Sequence, residues 1–188
     1  DDEKSDFNFS DDSSIDDEFD ELKNYQYFPL SDGTLAIGVG NNKYLESLTI
    51  PKTYHGKLIT QIADNGFANC PCLRKINISE NIIAIRNNAF SNCTLLEEIQ
   101  IPSSNVKIYD SAFEGCRSLT DVTISSMDPE LGKAVFKGCS NLINVHLPEG
   151  ISILNDELFE GCSSLTSIAI PNSVTSIGSS AFQGCSSL

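Results

Sequence analysis

The sequence predicts an α/β repeat solenoid, with strands stacked into one parallel sheet and short helical turns on the opposite side. Three observations predict it. Phe recurs at 67, 90, 113, 136, 159 and 182, always 23 residues apart. Cys70, Cys93, Cys116, Cys139, Cys162 and Cys185 keep the same interval, and so do Leu73, Leu96, Leu119, Leu142, Leu165 and Leu188. Three columns in phase over six units mark an array of repeats.

Each element of the unit follows from its residues. Leu-x-x-Ile-x-Ile ends in the alternation of a half-buried strand. Ile76, Ile99, Val122, Val145 and Ile168 point inward, with Ile78, Ile101, Ile124, Leu147 and Ile170 two residues on. Parallel strands are therefore expected near 75–78, 98–101, 121–124, 144–147 and 167–170. Pro102, Pro148 and Pro171 close their strands, because Pro has no N–H for a ladder. Ile62, Ile85, Ile108, Leu131, Leu154 and Ile177 form one more apolar column. Ala-Phe-x-x-Cys has the spacing of one helical turn, with Phe and Cys on the same side. The residue before each Cys is Asn69, Asn92, Gly115, Gly138, Gly161 or Gly184, the two types that best tolerate positive φ. A left-handed residue is expected to end each turn there. One unit alone buries too little apolar surface to fold, so stacking must supply the rest. A parallel β-helix is the rival fold; its usual repeat periods match 23 residues less well.

The ends differ from the array. Leu45-x-x-Leu48-x-Ile50-Pro51 is an earlier strand of the same kind. From Ile50 to Ile78 is 28 residues, which places a five-residue insertion near Tyr54-His55-Gly56. Residues 25–30 and 34–39 flank Ser31-Asp32-Gly33 and read as a β-hairpin with a Gly-containing turn. The expected organisation is an acidic tail over 1–23, a hairpin cap over 24–43 and the repeat solenoid over 44–188, its last unit stopping at Leu188 before a strand begins. The array is expected to continue beyond that point.

Charge is concentrated in the tail. Residues 1–23 carry eleven acidic and two basic side chains, whereas the remaining 165 carry fifteen and ten. A run such as Asp11-Asp12-Ser13-Ser14-Ile15-Asp16-Asp17-Glu18 repels itself and reads as a solvated tail. It lacks the Asp-x-Asp-x-Asp-Gly spacing of a calcium loop. No basic patch speaks for nucleic acid. No apolar stretch approaches the ~20 residues of a membrane span. Met127 is the only Met, so the chain does not begin at a start codon, and a cleaved secretion signal is one explanation.

The chemistry-bearing residues read as structural. Six of the seven cysteines share one repeat position, as small apolar side chains stacked in a column, so free thiols are expected. Cys72 lies outside the column, and pairing it with Cys70 would be strained. His146 points outward and His55 lies in the insertion, so neither meets the inward cysteines as a nucleophile–base pair. No Gly-x-Ser-x-Gly and no phosphate-binding loop is present. The chain is read as a non-enzyme without cofactor or metal.

The unit Ala-Phe-x-x-Cys-x-x-Leu-x-x-Ile-x-Ile-Pro, with Val174-x-x-Ile177-Gly178-x-x-Ala181-Phe182 in the last turn, resembles the BspA-like leucine-rich repeats of bacterial surface proteins. So does the entry Asp32-Gly33-Thr34-Leu35-Ala36-Ile37 followed by Ile50-Pro51. The resemblance covers about residues 25–188 and implies a leucine-rich-repeat arc, secretion or cell-surface display, and adhesion or host-protein binding in some members. It carries no catalytic motif. Ala134-Val135-Phe136 departs from it by an extra residue between Ala and Phe, and Ser79 and Ser125 replace the strand-closing Pro.

In such an arc the strands line the concave side, and their outward side chains form an extended array. One outward column contains Asn77, Gln100, Thr123 and His146, and its neighbour contains Lys75, Glu98, Asp121 and Asn144. These eight are the candidate ligand-binding residues, because they vary from turn to turn while the core columns do not. Neither column holds an aromatic anchor of the kind common in hot spots. Two functions fit: a surface module that binds a protein or extracellular-matrix ligand, or a structural spacer that displays other domains.

Overall fold

A computed structural model describes residues 23–102, 105–126 and 130–188. The acidic stretch 1–22 lies outside the described residues. The inward apolar side chains of the Leu-x-x-Ile-x-Ile segments draw short strands together in parallel. Strand β3 (Ser47–Thr49) pairs with β6 (Lys75–Asn77), and β6 with β8 (Glu98–Gln100); β10 (Asp121–Thr123) pairs separately with β11 (Asn144–His146). The register advances by whole repeats, Lys75 opposite Glu98 and Asp121 opposite Asn144. Leu48, Ile76, Ile99, Val122 and Val145 are buried between exposed neighbours. The expected strand at 167–170 does not form.

The further apolar column builds a second parallel sheet. Its strands are β2 (Leu35–Gly38), β5 (Lys57–Ile62), β7 (Ala84–Ile85) and β9 (Lys107–Ile108), extended by a bridge from Ile108 to Leu131. The pair β12 (Ile153–Leu154) and β13 (Ser176–Ile177) continues the column as a separate ladder. A hairpin opens the array: β1 (Gln26–Pro29) runs antiparallel to β2, with Asp32 Oδ1 accepting from the Thr34 N–H at 3.0 Å. Tyr25 meets the first ring of the core, Phe67, edge-on at 6.2 Å. The five-residue insertion is a second hairpin, β4 (Thr53–Tyr54) against the start of β5. His55 and Gly56 turn it with φ of 48° and 74°, the double positive φ of a type I′ turn. Tyr54 then stacks on Tyr27 at 3.8 Å.

The Phe–Cys segments correct the expected helical turns, since the described residues contain no helix. Each segment is a run of tight turns with two left-handed residues four apart. The second of them is the Gly/Asn column, at φ 57° for Asn92, 73° for Gly115, 72° for Gly138 and 76° for Gly161. The first is Asn65, Asn88, Ser111, Ala134, Glu157 or Ser180, all between 53° and 58°. This alternation aims every second N–H along the solenoid axis. Asn65, Phe67 and Asn69 donate to the carbonyls of Asn87, Ala89 and Ser91 in the next turn, while Gly66 and Ala68 donate locally to Ala63 and Asn65. A helix would keep all of these bonds within the segment. The Phe-x-x-Cys spacing suits either arrangement; the neighbouring turn selects this one. The register at Ala134 is also regular: Val135, fully buried, fills the small-residue position of Ala89 and Ala112, and Ala134 takes the left-handed site.

Sideways bonding locks the columns. The rings from Phe67 to Phe182 stack in one file with centroids 5.4–5.8 Å apart. From Cys93 to Cys185, each thiol of the column donates to the Phe carbonyl of the preceding turn, as from Cys93 to Phe67 at 3.1 Å and from Cys139 to Phe113 at 3.2 Å. All seven cysteines are free. An Asx file runs beside them: Asp64, Asn87, Asp110 and Asp156 each accept a backbone N–H from the next turn at 2.8–3.2 Å. Lys133 cannot accept, and its Nζ pairs with Asp156 at 2.9 Å instead.

Two predictions follow from this core. A Cβ at Gly138 would meet Gly115 only at an ordinary 3.7 Å, so substitution there acts through φ and not through clash. Gly138→Ala should cost about 1–2 kcal/mol of unfolding free energy in guanidinium titration, and Gly138→Asn clearly less, as the native Asn69 and Asn92 sites suggest. The second concerns pH. Burial pushes the Cys116 and Cys162 thiols up to about 12, whereas an unfolded thiol ionises near ~8.5. The stabilisation held by the protonated thiols is complete below the unfolded value and lost as pH rises toward the folded one. Tyr27, raised by burial and by Tyr54 and Tyr25, acts in the same direction. Unfolding free energy should therefore fall steadily between pH ~8.5 and 11. A Cys116→Ala, Cys162→Ala variant should show a shallower fall.

Candidate functional site

The alternation that buries Ile76, Ile99, Val122 and Val145 turns their neighbours outward. All eight predicted residues stand exposed on β6, β8, β10 and β11. The two columns behave differently. In the first, side chains pair along the axis: Lys75 Nζ lies 3.0 Å from Glu98 Oε2, and Asn144 Nδ2 donates to Asp121 Oδ1 at 2.6 Å. Arg74 and Glu97 add a parallel ion pair. The Asp121 carboxyl is held below the usual carboxylate range, first by a bond from Thr120 and then by Asn144. In the second column, Asn77, Gln100, Thr123 and His146 make no side-chain hydrogen bond to another described residue. Their donors and acceptors face solvent.

Hollows follow this second column along the ends of the strands. A groove of about 600 Å³ lies between β8 and β10, lined in part by Asn77, Glu98, Gln100, Asp121 and Thr123. A hollow of about 430 Å³ borders Thr49 and Asn77, and one of about 160 Å³ borders His146 and Ala169. The structure thus brings five of the eight residues into one groove and leaves Lys75, Asn144 and His146 on its flanks.

The sequence did not foretell the groove, because it arises from an interruption of the ladder. β8 and β10 are neighbours but do not pair. Each other rung opens with one backbone bond, Arg74 N–H to Glu46 O at 2.8 Å, Glu97 N–H to Arg74 O at 2.9 Å and Ile143 N–H to Thr120 O at 2.9 Å. Among the described residues the corresponding bond from Thr120 N–H to Glu97 O is not made. Nor does Ile101 N–H reach Thr123 O, although Ile124 N–H reaches His146 O at 3.1 Å one turn later. Elsewhere, His55 packs edge-on against Tyr54 at 4.2 Å in the β4–β5 hairpin. The ladder cysteines lie on the buried side of the turns, so the exposed His146 does not meet them.

The BspA type leucine rich repeat model matches residues 60–188 in six copies. The chain belongs to the BspA-type leucine-rich-repeat family. No curated protein matches it. A leucine rich repeat protein from T. pallidum is similar at 28% identity and a TM-score of 0.68, with 88% of each chain covered. A leucine rich cell surface protein from Faecalibacterium prausnitzii is similar at 26% identity and a TM-score of 0.69. That match covers 98% of this chain and 54% of the other, so this BspA-type array spans about half the length of that relative. The pneumococcal vaccine antigen PcpA, at 19% identity and a TM-score of 0.55 over 85% of this chain and 45% of its own, shares the fold. In this family member no helix among the described residues is long and apolar enough to cross a membrane.

The paired column yields a prediction. Lys75 and Glu98 are both well exposed, with side chains 64% and 66% accessible. Lys75→Ala should change unfolding free energy by less than about 0.5 kcal/mol, as exposed ion pairs do, and leave the circular dichroism spectrum unchanged.

Proposed function

We propose that this chain is a non-catalytic interaction module, displayed outside the cell, that binds a protein or extracellular-matrix ligand through the exposed face of β6, β8, β10 and β11. The observation that carries the reading is the contrast between the two sides of each strand. Inward positions repeat Ile or Val, whereas outward positions run through Lys, Glu, Asp and Asn in one column and Asn, Gln, Thr and His in the other. Unengaged polar groups beside a chain of hollows are what an extended solenoid contact needs. The description of the F. prausnitzii relative as a cell surface protein supports the location. The membership itself supports interaction over catalysis, as does the exposure of His146 on the side opposite the buried thiols. A spacer role remains the second reading. It is favoured by the pairing of Lys75 with Glu98 and of Asn144 with Asp121, which spends part of the face on itself.

The contact should run across several turns. Gln100→Ala, Asp121→Ala and His146→Ala combined should weaken capture of host extracellular proteins without unfolding the array, since such surface changes cost within about 0.5 kcal/mol each. Binding is read by pull-down and fold by circular dichroism. Undiminished capture by the folded triple variant would move the site elsewhere, and capture of nothing by the native array would favour the spacer.

A further inference from the structure

Four backbone groups meet at the groove between β8 and β10. The carbonyls of Glu97 and Thr123 and the N–H groups of Thr120 and Ile101 all belong to residues that line it. The opening bond is made on the rungs that pair, as by Ile143 N–H to Thr120 O, and the closing bond on some of them, as by Ile50 N–H to Asn77 O and Ile124 N–H to His146 O. Here, among the described residues, neither is made. The gap therefore offers a donor and an acceptor on each wall. The two groups on each wall lie three or four residues apart in the chain, so the complement is an extended segment whose successive peptide groups each carry one donor and one acceptor.

The charge of the groove narrows the occupant. Three carboxylates face it, Glu97, Glu98 and Asp121. Arg74 already engages Glu97, and Lys75 engages Glu98. Asp121 is bonded by neutral groups, Thr120 and Asn144, which together with the nearby His146 keep its carboxyl below the usual range, and it has no ion pair with Lys or Arg among the described residues. Beyond it, Gln100, Asn77 and Thr123 add uncharged donors and acceptors with no side-chain partner among the described residues.

We propose that the interrupted ladder between β8 and β10 is a recognition slot for an extended polypeptide segment, whose successive main-chain amides bond to the free groups of Glu97, Ile101, Thr120 and Thr123 and whose Lys or Arg side chain meets Asp121. This rests on the interaction reading above and deepens it, by naming both the place and the chemistry of the partner. Main-chain bonding supplies affinity without sequence demand, and the carboxylate supplies selectivity for a basic residue, as in other modes that read an extended peptide through its backbone.

Two measurements on the full chain test it. Amide hydrogen exchange by NMR should show Ile101 and Thr120 exchanging at least about tenfold faster than their counterparts Ile124 and Ile143. Equal protection at the four sites overturns the slot. A phage-displayed random peptide library panned over the immobilised chain should enrich sequences with Lys or Arg. In an enriched peptide, N-methylation of a single backbone amide should weaken binding about tenfold, the size of one lost hydrogen bond. Asp121→Asn should weaken it by a similar factor, and Asp121→Lys should abolish it. Enriched peptides indifferent to both changes, or capture of an array glycan in place of any peptide, overturn the proposal. If the triple variant loses its captured protein while these peptide effects are absent, the face still binds and only the slot is wrong. If the slot effects hold and the triple variant captures normally, the host contact lies elsewhere.

Discussion

The hydrogen bond that each turn sends sideways to the next is the constraint on which the other features of this array depend. It exists because two left-handed residues, four apart, reverse alternate peptide groups. Phe67, Phe90, Phe113, Phe136 and Phe159 each donate along the axis and not back along the chain. Successive turns are thereby held one backbone hydrogen bond apart. The Phe rings must stack, the Leu and Ile columns must close over one another, and both parallel sheets inherit the same rise.

The same spacing explains the cysteines. In the central turns a Phe carbonyl accepts twice, from the N–H of the Cys in its own turn and from the thiol of the Cys in the next. Phe113 O, for instance, receives Cys116 N–H at 3.2 Å and Cys139 Sγ at 3.2 Å. A carbonyl oxygen has two lone pairs, and both are used. The position asks for a side chain that is small, tolerates complete burial and carries a weak donor. Cysteine meets all three demands as a thiol, and a disulfide would remove the donor. The raised ionisation of Cys116 and Cys162 reports this burial, not reactivity.

Because the turns and the inward side chains saturate the core, the outward side of the short strands carries little structural duty. Its composition drifts from turn to turn, and its ladder tolerates an opening between Gln100 and Asp121. The second sheet, by contrast, pairs without a break from β2 through β9 to Leu131. It is interrupted in turn between Leu131 and the separate β12–β13 ladder, where a hollow of about 260 Å³ lies between Leu131 and Ile153. The aromatic residues lie apart from the groove between β8 and β10: Tyr25, Tyr27, Tyr54 and Phe67 cluster at the hairpin end, where they close the core.

Much was legible in the sequence because 23-residue columns are a direct imprint of stacking. The parallel strands at 75–77, 98–100, 121–123 and 144–146, the hairpin before Leu35, the positive φ at Gly115, Gly138 and Gly161, and the unpaired thiols all follow from residue type and phase. So does the outward placement of Lys75, Asn77, Glu98, Gln100, Asp121, Thr123, Asn144 and His146, since alternation decides which side of a strand a residue takes. Tertiary structure decided the rest. Ala134 and Glu157 have no intrinsic preference for a left-handed backbone, and only bonds to the next turn hold them there. Those bonds also replaced the expected helix by turns. The second sheet needed the Ile62 and Ile85 segments side by side, which a single repeat does not reveal. The opening between β8 and β10 leaves no mark on the repeat pattern, because Glu98 and Asp121 are as regularly spaced as any other pair. Periodicity sets which residues meet in sequence order, whereas the distance between two neighbouring strands depends on how the whole stack packs.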